Sequence, residues 1–170
     1  IMPPGEGIVV ELVEETELSG AAGDADRPTR YRAIVNCGRA VRDMTIEIRD
    51  EAGNILPDKT VGKVWCTGPS LMTGYYRDPE STQACMADGW LDTGDMGYLS
   101  DGYIYIVGRA KDMIIINGKN HWPQDIEWAV EQLPGFKSGD IAAFAITTDA
   151  GEETPAVLVQ CRTSDPQERA

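Results

Sequence analysis

The side chains best equipped for chemistry lie in two short runs in the second half of the chain. Asp95 closes the run Trp90-Leu91-Asp92-Thr93-Gly94-Asp95, where a Thr-Gly turn just ahead of a strand would fix its carboxylate. A carboxylate accepts two hydrogen bonds, which matches the paired 2′- and 3′-hydroxyls of a ribose; the same residue in a turn can instead cap backbone amides. Arg109 follows Tyr103–Val107 and Gly108, and its planar, always-charged fork suits ribose oxygens or the phosphate side of a nucleotide. The alternative is a surface arginine paired with a nearby acid. Lys111 stands two residues later, where β-rich sequence gives way to the apolar run Met113–Ile116. Gly118 would let backbone approach a ligand closely or simply close a hairpin. His121 is the only histidine, open to a general-base reading but better suited to packing or capping beside a helix start.

These residues need a scaffold, and the pattern supplies one. A weak alternation over Gly7–Val13 reads as a strand, and Glu14–Arg30, acidic and rich in Gly, Ala and Asp, as an exposed loop. Met44, Ile46 and Ile48 alternate with Thr45, Glu47 and Arg49, the period of a half-buried strand. Gly62–Thr67 gives the next strand, and Asp78-Pro79-Glu80 opens a short helix with Asp78 as cap. Ser100-Asp101-Gly102 separates Gly97–Leu99 from Tyr103–Val107 as a tight hairpin turn. The continuous apolar run Met113–Ile116 predicts a covered strand. Pro123–Leu133 predicts a helix with Ile126, Ala129, Val130 and Leu133 on one face and Asp125 and Glu127 in its first turn. Two strands follow, Asp140–Thr147 and Pro155–Cys161, joined by an acidic turn at Asp149–Glu153; Asp165-Pro166 caps a further helix. The fold class expected is α+β: a small antiparallel β-barrel or sandwich subdomain, then the first half of a small α/β domain.

Composition sets the outer bounds. With 170 residues, 42% hydrophobic and 25% charged, the chain suits one to one and a half globular domains. No apolar run approaches the ~20 residues of a membrane helix. The net charge of −13 argues against nucleic acid, whose phosphates demand clustered Lys and Arg. A polyanionic ligand must therefore be held by local charge, and Asp101–Asn120 supplies it with three basic residues against two acids. Cys37, Cys66, Cys85 and Cys161 are too widely spaced for a zinc site, and most suit small buried hydrophobes. Trp65, Trp90, Trp122 and Trp128 read as core or interdomain packing.

The stretch from Gly108-Arg109-Ala110-Lys111-Asp112 to His121-Trp122-Pro123-Gln124-Asp125-Ile126-Glu127 resembles the hinge motif of adenylate-forming enzymes, which activate a carboxylic acid with ATP as an acyl-adenylate. Its ending looks most like the fatty-acyl-AMP ligase branch. Trp90–Asp95 is similar to that family's ribose-binding motif, Gly62–Tyr76 to the barrel segment before it, and Cys37-Gly38-Arg39 to the run that opens the barrel. The resemblance implies Asp95 and Arg109 as nucleotide-binding residues and Lys111 as the hinge. It implies residues 1–110 as the barrel subdomain of a large adenylation domain, with 1–36 overlapping a subfamily insertion, and 111–170 as the start of the small C-terminal domain.

Nothing in the chain resembles the family's phosphate loop, adenine-binding segment or catalytic lysine, and Ile1-Met2-Pro3-Pro4 is an abrupt start. The chain is therefore expected to be an internal fragment, with no catalytic and no metal-binding residue of its own and no adenylation activity alone. The implied parent is a cytoplasmic ligase that uses ATP and Mg²⁺ to activate fatty acids and passes the acyl group to an acyl carrier protein or polyketide synthase. Two alternatives stay open. One is an acyl-CoA ligase making a CoA thioester; the other is a non-catalytic module that docks carrier protein.

Overall fold

The computed structural model describes residues 7–14, 31–116, 119–148, 151 and 153–160. The expected loop over 15–30, Gly118, most of the Asp149–Glu153 turn, Cys161 and the Asp165-Pro166 cap lie outside the described residues. The chain divides into two compact units, with the boundary between Lys111 and Asp112.

In the first unit, β3 (Thr45–Arg49), β4 (Gly62–Thr67), β6 (Trp90–Ser100) and β5 (Met86–Ala87) lie in that order in an antiparallel sheet, and β7 (Tyr103–Arg109) pairs with β6. The expected alternation holds: Ile48, Val64 and Ile104 form a buried cluster, with Ile46, Leu56, Leu99 and Ile106 packed against it. Each such side chain fully buried contributes about 1.5–3 kcal/mol. Asp101 and Gly102 both take positive φ, 51° and 76°, as a tight turn matched to the twist of β6 and β7 requires. A hairpin of β1 (Val10–Glu14) and β2 (Tyr31–Val35) joins the β7 side through the Asn36–Tyr105 bridge. Buried polar groups secure that join. Asn36 Nδ2 donates to the Tyr105 hydroxyl at 3.1 Å, Arg32 Nη2 to the Val107 carbonyl at 3.1 Å, and the Tyr98 hydroxyl to Glu11 Oε2 at 3.1 Å. Helix α1 (Pro79–Cys85) starts as expected, with Pro79 in its first turn and Asp78 accepting from Ser81 N at 3.0 Å.

The second unit pairs β8 (Ile114–Ile116) with β9 (Lys119–His121), follows with α2 (Pro123–Glu131), and ends in the hairpin of β10 (Ile141–Thr147) and β11 (Glu153–Val159). Ile114, Trp122, Ile141 and Ala143 are its buried apolar residues. Glu127 does more than face the helix dipole: its Oε1 accepts from Ala143 N at 3.0 Å and ties α2 to β10.

Three expectations are corrected. Ile115 is 46% exposed, so β8 is covered on one face only. On α2, Ile126 and Val130 are half-buried while Ala129 is exposed, and Leu133, also exposed, lies past the helix end at Glu131. Of the tryptophans, Trp122 is buried, Trp65 and Trp90 are half-buried and Trp128 is exposed. Cys37 is exposed and Cys66 and Cys85 are half-buried, so none of the three is a fully buried hydrophobe.

Candidate functional site

Asp95 does not follow a turn ahead of a strand; it lies inside β6. Strand β4 pairs Lys63 with Met96 and Trp65 with Asp92, so Val64 alone faces the three residues Thr93, Gly94 and Asp95. The extra residues form a bulge, a device that re-aims side chains at functional edges. Gly94 takes φ +74°, which it adopts without the cost a side chain would bring. Two side chains pin the distortion. Thr93 Oγ1 donates to the Val64 carbonyl at 2.9 Å and accepts from Asp95 N at 3.1 Å, while Asp92 Oδ1 accepts from Gly94 N at 2.9 Å. The amide-capping role available to Asp95 thus falls to Asp92.

Past the bulge, β6 and β7 pair in register with Asp95 opposite Arg109. Arg109 Nε reaches Asp95 Oδ1 at 3.1 Å, and its Nη2 donates to the Thr93 carbonyl at 3.2 Å. Asp95 Oδ2 and Arg109 Nη1 take no hydrogen bond among the described residues. The side chains are 35% and 50% exposed respectively. One acceptor and one donor therefore stand side by side at the surface, a pair suited to hydroxyls beside an anion. Lys111 is exposed in the single 3₁₀ turn Ala110–Asp112 and is not part of this pair. His121 is half-buried in β9 opposite Ile114. It does not cap α2, whose N-cap is Trp122 with no side-chain cap bond.

The face of β4 around the bulge is charged and aromatic. The Arg49 guanidinium lies 5.2 Å from the Trp65 ring and 4.3 Å from the Trp90 ring, and is ion-paired with Glu47, an arrangement that steadies the start of β6. The Glu51 carboxylate, 2.8 Å from Lys63 Nζ, holds that ammonium above the ordinary lysine range, and burial pushes the Cys66 thiol up. Among the described residues no three His, Cys, Asp or Glu side chains gather where they could hold a metal ion. No helix among them is long and apolar enough to cross a membrane.

Sequence reasoning singled out Asp95 and Arg109, which the structure brings together, but gave Asp92 and Thr93 no task. The available signal was the composition of the bulge itself: two residues with short polar side chains just ahead of Asp95, separated from it by a glycine.

The chain is similar to known proteins. Residues 9–76 match the AMP-binding enzyme family. A protein of Caulobacter vibrioides named as a putative acyl-CoA synthetase is 44% identical over 99% of this chain, which covers 30% of that protein. The long-chain-fatty-acid–AMP ligase FadD32 of Mycolicibacterium smegmatis is 34% identical over 72% of the chain, covering 22% of FadD32. A solved structure from a study of fatty acyl-adenylate ligases of E. coli and L. pneumophila superposes with a TM-score of 0.77 at 46% identity, over 96% of this chain and 30% of its own.

Proposed function

We propose that this chain, homologous to a segment of the AMP-binding enzymes, is the nucleotide-holding edge and hinge region of a cytoplasmic ligase that activates fatty acids as acyl-adenylates. The observation that carries the reading is the Asp95–Arg109 pair, fixed by a bulge and directed outward. The Asp95 carboxylate accepts from the ribose hydroxyls, and Arg109 both neutralises that carboxylate and faces the ribose and phosphate oxygens. ATP is the nucleotide. Mg²⁺ accompanies its phosphates.

Lys111 acts as the hinge through its backbone. It is exposed and lies at the boundary between the two units, and a few φ/ψ changes at such a position can reorient a whole domain. On this reading residues up to 110 are the barrel subdomain of the large domain, and those from 111 on begin the small C-terminal domain. The acyl group then passes to an acyl carrier protein or polyketide synthase. A second reading, transfer to CoA, is favoured by the name of the Caulobacter relative.

The test uses the full-length protein. Long-chain fatty acid and ATP should release pyrophosphate and give an acyl-adenylate that loads a phosphopantetheinylated carrier protein. Accumulation of acyl-CoA when CoA is supplied would select the second reading. No fatty-acid-dependent pyrophosphate release would sink both.

A further inference from the structure

We infer that Thr93 is a positioning residue for nucleotide recognition: its hydroxyl sets the Asp95 carboxylate against the ribose. The inference rests on the reading of Asp95 as the ribose acceptor and adds a residue that this reading does not need.

Three contacts converge on Thr93. Its Oγ1 donates to the Val64 carbonyl, so β4 fixes the hydroxyl's direction. The same oxygen accepts from the Asp95 amide, so the hydroxyl fixes the Asp95 backbone. Its own carbonyl accepts from Arg109 Nη2, so the guanidinium that pairs with Asp95 is anchored on the same residue. Without the hydroxyl, the Asp95 amide and the Val64 carbonyl both lose these hydrogen bonds across the bulge. The neighbouring Gly94 amide is served separately by Asp92 Oδ1, and Gly94 itself supplies freedom where rigidity is needed. The carboxylate would then sample orientations that do not meet a diol, and only ligands with ribose hydroxyls would register the loss.

That selectivity is the test. In the full-length ligase, KM for ATP and for 2′,3′-dideoxy-ATP is measured by pyrophosphate exchange for the wild type, Thr93→Val and Thr93→Ser. The wild type should prefer ATP. Thr93→Val should raise KM for ATP about 3- to 10-fold, as for one hydrogen bond, with little effect on the dideoxy nucleotide. Thr93→Ser, which keeps the oxygen, should recover most of the loss. In an Asp95→Ala background, Thr93→Val should add nothing. Equal losses with both nucleotides, or no recovery with serine, would show a purely structural residue and overturn the inference. A wild type that treats both nucleotides alike would overturn the ribose reading and this inference with it. Should Thr93→Val not fold, Thr93→Ala removes the same hydroxyl with the same expectations, and a fold that tolerates neither makes the hydroxyl structural.

Discussion

Asp95→Ala separates two jobs that differ in size. As a structural element, the carboxylate contributes one ion pair to Arg109 at 3.1 Å, between side chains 35% and 50% exposed. Pairs this open to solvent contribute about 0.2–1 kcal/mol. Arg109 keeps its bond to the Thr93 carbonyl when Asp95 is lost, so the melting temperature should fall by no more than about 2–4 °C. As a ribose acceptor, the same carboxylate makes charge-assisted hydrogen bonds whose loss costs about 1.5–3 kcal/mol. At 1.4 kcal/mol per factor of ten, KM for ATP should rise roughly 10- to 150-fold. The assay is pyrophosphate exchange with the full-length protein at saturating fatty acid, beside a thermal melt of the same preparation. Unchanged KM with a lowered melting temperature would show Asp95 to be a strand-edge ion pair and nothing more.

Gly62→Ala should destabilise the first unit by about 1–3 kcal/mol, read as a lower urea midpoint, because a Cβ there would sit 2.5 Å from Leu56 Cδ1 and 2.6 Å from the Arg49 carbonyl; a wild-type midpoint would contradict this packing. Ser81 N–H bonding holds the Asp78 carboxyl below its ordinary value of 3.8, so its stabilisation is present above that pH and is lost as pH falls through the lower folded value. Acid titration of stability should therefore be shallower in Asp78→Ala than in the wild type. Burial raises the Cys66 thiol, leaving less thiolate, so a disulfide reagent at pH 8 should label exposed Cys37 before Cys66; the reverse order would refute the burial assigned here. Lys111→Pro, which fixes φ and removes an amide donor, should slow one half-reaction of the ligase far more than the other, while Lys111→Ala is mild in both. Equal slowing of adenylation and transfer by proline would remove Lys111 from the hinge.

Local turn chemistry was the most legible part of the sequence. Asp101-Gly102 and Asp78-Pro79 each carry their structural instruction within two residues, and both elements form where they were expected. The alternation of Ile46 and Ile48 likewise marked the buried face of β3. The bulge was not legible, because Asp92-Thr93-Gly94-Asp95 has the composition of a turn and no strand alternation. The pairing of Asp92 with β4 and of Asp95 with β7 is what keeps this run within β6. Strand β9 was missed for a related reason. Lys119-Asn120-His121 has little β-propensity, and its pairing with Ile114–Ile116 is what makes it a strand. The exposure of Ile115 and Trp128 depends on what covers a face, which periodicity does not encode.

Charge explains why the pair, and not the carboxylate alone, is the plausible unit of recognition. A chain with a net charge of −13 repels a polyphosphate over distance, but screening confines that field to about 8 Å at physiological ionic strength. Inside that range the nearest charges decide. A lone Asp95 would oppose the phosphates of the nucleotide whose ribose it is proposed to hold. With Arg109 Nε at 3.1 Å the pair is neutral, and its two faces differ: the carboxylate Oδ2 accepts from hydroxyls, while the guanidinium Nη1 donates toward oxygens that carry charge. The register of β6 with β7 puts Asp95 directly across from Arg109, and Thr93 is bonded to both.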